Sequence, residues 1–320
     1  MRPELNRSSR KRDISLQSPI ETVRARVFAR LPESLRIKNR ETTWTKARAA
    51  RHGAVTSFLE GPSFDREGYL YCTDIPYGRV FRVSPKGEFE VVAEYDGEPN
   101  GLKIHRDGRI FITDQAHGIM LFDPQRGTVE PYFTRPFGGH FHGVNDLVFA
   151  RNGDLYFTDQ GQSDLQHPYG RVFRLRANGE LDLVLSNIPS PNGLVLNRSE
   201  TTLYLNVTRM NAVWAVPLEE RGAGKTGVFV YLSGGNGPDG CALDAEGNLA
   251  VCHSGRGTVW LFDDIGDCIL RVLSPVRGGK TTNLAYGGPD MKTLYITESK
   301  TGEILAADMP HPGQPMYSHA

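Results

Sequence analysis

Four oxygen-bearing residues recur at one place in a repeated phrase, and their types suit a hard metal cation. Glu60 opens EGPSF, Asn145 opens NDLVF, Asn192 opens NGLVL and Asp239 opens DGCAL. Asn100, opening NGLKI, and Asn283, in TNLAY, share the pattern. Two carboxylates and two carboxamides gathered at one point would be unfavourable alone, because buried carboxylates lose hydration and repel each other. A divalent cation balances both charges, and four oxygen donors leave coordination sites for water or a substrate. The alternative is that these Asx-Gly pairs only form turns, as Asn and Asp often do. Glu60 argues against it, since glutamate is not a favoured turn residue. For Asn100 and Asn283, a turn role and a substrate or supporting contact both stay open.

A repeat would bring these residues together. The anchors at 60, 100, 145, 192, 239 and 283 are separated by 40, 45, 47, 47 and 44 residues. Each begins an apolar strand that leads through a turn to a second one. The clearest copy is HGVNDLVFARNGDLYFTD (142–159), with Asn152-Gly153 as a hairpin turn. A strand-only period in the forties indicates propeller blades. The expectation is an all-β, six-bladed β-propeller of four-stranded blades, one domain over 21–320, behind a disordered, charged tail over 1–20. Strands are lettered A to D from the centre outward. The last repeat has three strands, and the alternating RARVFAR (24–30) is expected to supply the fourth. Residues 33–52 form an excursion with a short helix before Glu60.

In a propeller the D-to-A links share a face with the B-to-C links. The anchors should therefore converge with the ends of the B strands. There stand Asp74 and Tyr77, Asp114 and His117, Asp159 and Gln160, Asn206 and Arg209, His253, and Glu298 and Lys300. The recurring Thr-Asp is expected to bond the amides of the B-to-C turn. Tyr77, His117, Gln160 and Arg209 are candidate substrate contacts together with Asn100 and Asn283. His253 stands where the other blades carry an acid or amide. It is read either as a substrate contact or proton shuttle, or as a hydrogen-bonded wall residue. The long links 134–143 and 161–170 lie on the same face, where such loops set specificity.

The phrases EGPSF, VNDLVF, PNGLVL and GPDGCAL, in that order over residues 58–308, resemble the metal-ligand segments of the senescence marker protein / gluconolactonase / luciferin-regenerating enzyme family, which includes diisopropyl fluorophosphatase-like members. The resemblance implies a central divalent cation, calcium first, with zinc, manganese or iron in some members. It implies Glu60, Asn145, Asn192 and Asp239 as ligands, and a hydrolase acting on lactones or phosphorus esters. Sugar lactonases of the senescence marker type carry an arginine two residues before the blade-three asparagine. Gly143 stands there in this chain, which argues against a gluconolactone-type pocket. The leading expectation is a metal-dependent lactonase with Asp239 as general base and His253 assisting. The alternatives are a phosphotriester hydrolase on the same site, or a binding propeller with structural calcium.

Composition sets the remaining bounds. A net charge of zero argues against a nucleic-acid partner, and there is no apolar run long enough for a bilayer. The four cysteines (72, 241, 252, 268) lack metal-type spacing and read as reduced thiols of a cytoplasmic protein. The expected partner is a small lactone. The sequence does not specify an oligomeric state.

Overall fold

Alternating apolar side chains put every repeat into strands, and consecutive strands pair in chain order. The computed structural model describes residues 20–319. Its sheets follow the A-B-C-D order in all six repeats. The A strands are Leu59–Phe64, Pro99–Ile104, Val144–Phe149, Pro191–Leu196, Gly237–Leu243 and Thr281–Gly287. Each packs against its two neighbours, and the sixth packs against the first, so the ring is closed as expected. Apolar clusters fill the wedges between blades, with Phe81, Phe122, Phe157 and Phe173 fully buried. All four cysteines are free thiols. No helix among the described residues is long and apolar enough to cross a membrane.

Strand Arg26–Arg30 pairs antiparallel with Glu303–Asp308 and completes blade six, as the alternating segment suggested. The chain does more than that. Glu21–Arg24 pairs in parallel with Cys268–Leu273 and adds a fifth strand to blade five. The single expected strand is split at Ala25, which is buried among Leu270, Val272 and Leu305 while its N–H donates to the Leu273 carbonyl at 2.9 Å. The expected tail, apart from Ile20, lies outside the described residues.

The excursion before blade one holds the expected helix, α1 (Thr43–His52). Thr42 and Thr45 cap its start reciprocally, and it stops at Gly53, whose φ is 68°. Blade one grips the segment. The Tyr77 hydroxyl donates to the Val55 carbonyl at 2.6 Å, and Arg79 Nη1 donates to the Leu35 carbonyl at 2.7 Å.

The C-terminal segment had no role in the repeat pattern. It runs across the end of the channel remote from the anchors. Ala245 N donates to the Pro312 carbonyl at 2.7 Å, Gln314 N donates to the Leu243 carbonyl at 2.9 Å, and Tyr317 stacks on Phe149 with centroids 4.9 Å apart.

Candidate functional site

The recurring Thr-Asp at the end of strand B explains how the anchors are held. The threonine pins the next blade's anchor. Thr73, Thr113 and Thr158 donate their hydroxyls to the carbonyls of Asn100, Asn145 and Asn192, at 2.5, 2.5 and 2.9 Å. In blade four Asn206 takes this place, its Nδ2 donating to the Asp239 carbonyl at 2.6 Å. The acid grips its own blade's entry. Asp74, Asp114 and Asp159 accept from the N–H groups of Phe58, Glu98 and Gly143, each two residues before an anchor, at 2.6, 2.9 and 2.9 Å. The B-to-C turn amides are bonded too, as in Ala116 and His117 to Asp114. The expectation of turn bonding was thus partial: the acids also fasten the D-to-A links.

The ladder corrects the sixth anchor. Leu59, Pro99, Val144 and Pro191 pair with the final B residue, and the anchor follows each by one. In blade six Thr281 holds that place, opposite Glu298, so Thr282 is the anchor. Asn283 sits one level deeper, where blades one, two, four and five have Gly61, Gly101, Gly193 and Gly240. Asp146 sits at the same level in blade three. It was missed because it follows an asparagine that already had a role. Its side chain meets Asn283 across the channel, Asn283 Nδ2 donating to Asp146 Oδ2 at 3.1 Å. Two of these glycines leave room for the crossing. A Cβ on Gly101 would lie 2.7 Å from Asp146 Oδ1, and one on Gly240 would lie 2.2 Å from Asn283 Oδ1.

Above this pair lies a cavity of about 600 Å³ lined by Glu60, Asn100, Asn145, Asn192 and Asp239. Glu60 is buried, and Asp239 is the more exposed of the two acids. Burial drives the Glu60 carboxyl well above the ordinary carboxylate range, and the charges of Asp239 and Asp146 add to the rise. The Gly61 N–H and the Asn283 side chain act in the opposite direction. No arginine or lysine pairs with Glu60 among the described residues.

The two amides have their nitrogens engaged. Asn192 Nδ2 donates to Thr208 Oγ1 at 3.2 Å, and that hydroxyl's own proton goes to the Pro238 carbonyl at 2.8 Å. Asn145 Nδ2 donates to Gln160 Oε1 at 3.0 Å, and Gln160 Nε2 donates to Ser190 Oγ at 3.0 Å. In both cases the amide oxygen is left for a ligand. Two carboxylates and two such oxygens are a donor set suited to a hard divalent cation. No three His, Cys, Asp or Glu side chains cluster as a metal site among the described residues, so the candidate donor set is this mixed one.

The remaining expected residues divide. Gln160 and Arg209 line the cavity, with residues 161–166 of the long blade-three link. Tyr77, His117, His253 and Asn283 do not. Tyr77 holds the excursion, and His117 Nε2 bonds the Asp96 carbonyl at 2.7 Å in a different recess. His253 is fully buried. Trp260 Nε1, a donor only, bonds His253 Nδ1 at 3.1 Å, so Nε2 carries the proton and donates to the Gly234 carbonyl at 2.8 Å. Burial lowers its pKa, in keeping with a neutral ring. None of 134–143 lines the cavity; Phe141 ties that link into the core beside Phe157 and Phe173. Two lining residues, Trp44 and Arg48 of α1, come from outside the repeats and carried no signal in them.

Comparison with known proteins agrees with this architecture. A lactonase, drp35, of Staphylococcus aureus (strain MW2) is 30% identical over 238 residues, which cover 68% of this chain and 70% of that protein. Among solved structures, a gluconolactonase from Xanthomonas campestris superposes with a TM-score of 0.71 at 22% identity, covering 92% of this chain and 98% of that one. A calcium-binding protein, regucalcin, from Agrobacterium tumefaciens superposes with a TM-score of 0.73 at 21% identity, covering 95% and 100%. Residues 58–300 match the family described as the SMP-30/Gluconolactonase/LRE-like region, and the chain belongs to that family.

Proposed function

We propose that the cavity hydrolyses a lactone around a divalent cation, calcium first, held by Glu60, Asn145, Asn192 and Asp239. One observation carries this reading. Two acids and two oriented amides open four A strands at the floor of one cavity, and among the described residues the buried Glu60 has no cationic side chain beside it. The lactonase named among the relatives supports the choice of substrate class. A bound cation would supply charge to stabilise the oxygen that becomes negative as the ester carbonyl is attacked.

The chain's own residues divide the other tasks. Asp239, the more exposed acid, accepts a proton from the attacking water. The water oxygen bonds to the acyl carbon, the ring C–O bond breaks, and the alkoxide leaving group takes up a proton to give a hydroxy acid. Thr208, Gln160 and Ser190 keep the amides of Asn192 and Asn145 turned with their oxygens available. Asn100, on the same floor, and Arg209, at the wall, contact the substrate.

The test is elemental analysis of the purified protein followed by a pH-indicator screen of sugar lactones, aliphatic lactones and phosphotriesters. Calcium-dependent turnover of a lactone, lost in Asp239→Asn, is the expected result. Turnover confined to phosphotriesters, or full lactone turnover in Asp239→Asn, would overturn the reading.

A further inference from the structure

One wall of the cavity is unlike the rest. Trp44, Arg48, Phe58 and Ile75 line it, whereas Gln160, Ser190 and Thr208 line the facing side. Trp44 and Arg48 are four residues apart on α1 and so share a helix face. Trp44 is buried against Phe58, with ring centroids 5.2 Å apart, and Ile75 completes the cluster. The Arg48 guanidinium lies over the indole, 4.9 Å from its centroid, and Arg48 Nη2 donates to Gln115 Oε1 at 2.6 Å. Stacking and one neutral carboxamide therefore fix the guanidinium in place.

They do not neutralise it. Two other arginines on this face, Arg79 and Arg171, are paired with Asp74 and Asp159. Arg48 makes no ion pair among the described residues. Glu98 is a carboxylate neighbour that acts on Arg48 through its charge without forming a contact pair. Asp164 lies at the cavity, and Arg209 adds a second cation. A fixed, part-buried guanidinium with unused donors is built to receive an anion. Both α1 residues precede the stretch 58–300 that matches the family, whereas Phe58 and Ile75 lie within it, so the excursion adds the indole and the guanidinium to a wall begun by blade one.

We propose that Arg48 and Trp44 set substrate choice. The preferred substrate carries an anionic group, carboxylate or phosphate, set apart from the bond that breaks, with an apolar body against Trp44 and Phe58. A cavity of about 600 Å³ exceeds what a bare lactone ring fills, which leaves room for such a body. The inference rests on the hydrolase reading for its turnover test but not for its binding test.

The turnover test uses the calcium-loaded full chain and three aryl lactones that differ only in a neutral, carboxylate or phosphate substituent. Wild type should favour at least one charged lactone over the neutral one, and the better of the two identifies the anion. In Arg48→Met the charged-to-neutral ratio of kcat/KM should fall tenfold or more, and Arg48→Lys should restore part of it. Equal kcat/KM for neutral and charged lactones in wild type, or an unchanged ratio in a folded Arg48→Met, overturns the proposal. Should no lactone be turned over, the hydrolase reading falls, and calorimetric titration with 4-(hydroxymethyl)benzoate decides this one. Binding at least tenfold weaker in Arg48→Met supports it, and equal or undetectable binding in wild type and variant overturns it.

Discussion

Asp146 and Asn283 are 137 residues apart in the chain, yet they join side chain to side chain across the central channel. A-strand contacts run in sequence around a closed ring of six, so blades three and six stand opposite each other. The Asn283 side chain also acts on Glu60, opposing part of the rise that burial imposes on its pKa. The pair thus connects one edge of the ring to the acid on the cavity floor.

Breaking the pair should loosen both the ring and the site. Asp146→Ala leaves the Asn283 amide buried without its acceptor, so Tm should fall by about 2–8 °C. Calcium affinity should fall by about 10–100-fold, as when a group supporting a ligand is removed. The reciprocal swap Asp146→Asn with Asn283→Asp should recover most of the Tm, which differential scanning calorimetry would show. A swap as unstable as the single variant would mean that position, not pairing, matters here.

Glu60 predicts a pH signature for the cation-free protein. Its folded pKa lies above the unfolded one, so its contribution is intact below the unfolded value and is lost as pH rises through the folded value. Chelated wild type should therefore lose Tm from about pH 5 upward, relative to chelated Glu60→Gln. Calcium should reverse the loss in wild type and do little in Glu60→Gln. Thermal melts in chelator across pH 5–8 make the comparison, and parallel curves for the two proteins would remove Glu60 as the source.

His253 should behave as a structural group. His253→Leu strips Trp260 Nε1 of its acceptor and the Gly234 carbonyl of its donor, so Tm should fall by about 2–8 °C. kcat/KM should change less than about threefold, far below the effect of losing a general acid or base. Its neutral form also gives a direction. The folded pKa is depressed, so its contribution is present above the ordinary histidine pKa and is lost as pH falls through the folded value. A hundredfold loss of turnover at unchanged Tm would return His253 to the chemistry.

Two truncations separate the two N-terminal strands. Deleting residues 1–25 removes the parallel strand on blade five but keeps Arg26–Arg30, and should lower Tm while leaving soluble protein. Deleting residues 1–31 opens blade six, exposes the edge of Glu303–Asp308 and should send the protein into the pellet. Equal melting of the longer deletion and the full chain, by circular dichroism, would rule out the clasp.

What the sequence made legible was whatever repeats. Periodic strands and recurring anchors gave the blades, their number, the closing strand and the gathering of Glu60, Asn145, Asn192 and Asp239 at one cavity. The misses share a physical cause: each depends on a contact between distant parts of the chain. Asp146 looked like half of an Asn-Asp turn, although its departure from glycine in that column was visible. Asn283 was placed one residue out, because an asparagine resembles the other anchors more than Thr282 does. His253 was read from its column, but Trp260 and Gly234, which decide its protonation, lie in other strands or links. Trp44 and Arg48 belong to no repeat, and contacts between the excursion and the blades, among them those of Tyr77, Arg79 and Gln115, hold them at the cavity.

The level just below the anchors bears on how such a ring can be rearranged. Four blades carry glycine there, and two opposed blades carry Asp146 and Asn283, whose side chains occupy the space that Gly101 and Gly240 leave. The repeats are alike in outline but are not interchangeable. Exchanging blade three with blade four would move Asp146 off the diameter it shares with Asn283 and put a glycine at one end of that diameter. Duplicating blade three in place of blade two would press a second carboxylate toward Asp146 and Glu60. A one-residue difference thus marks blades three and six as opposed partners, and new versions of this protein can reshape the surrounding loops while those two blades keep their places.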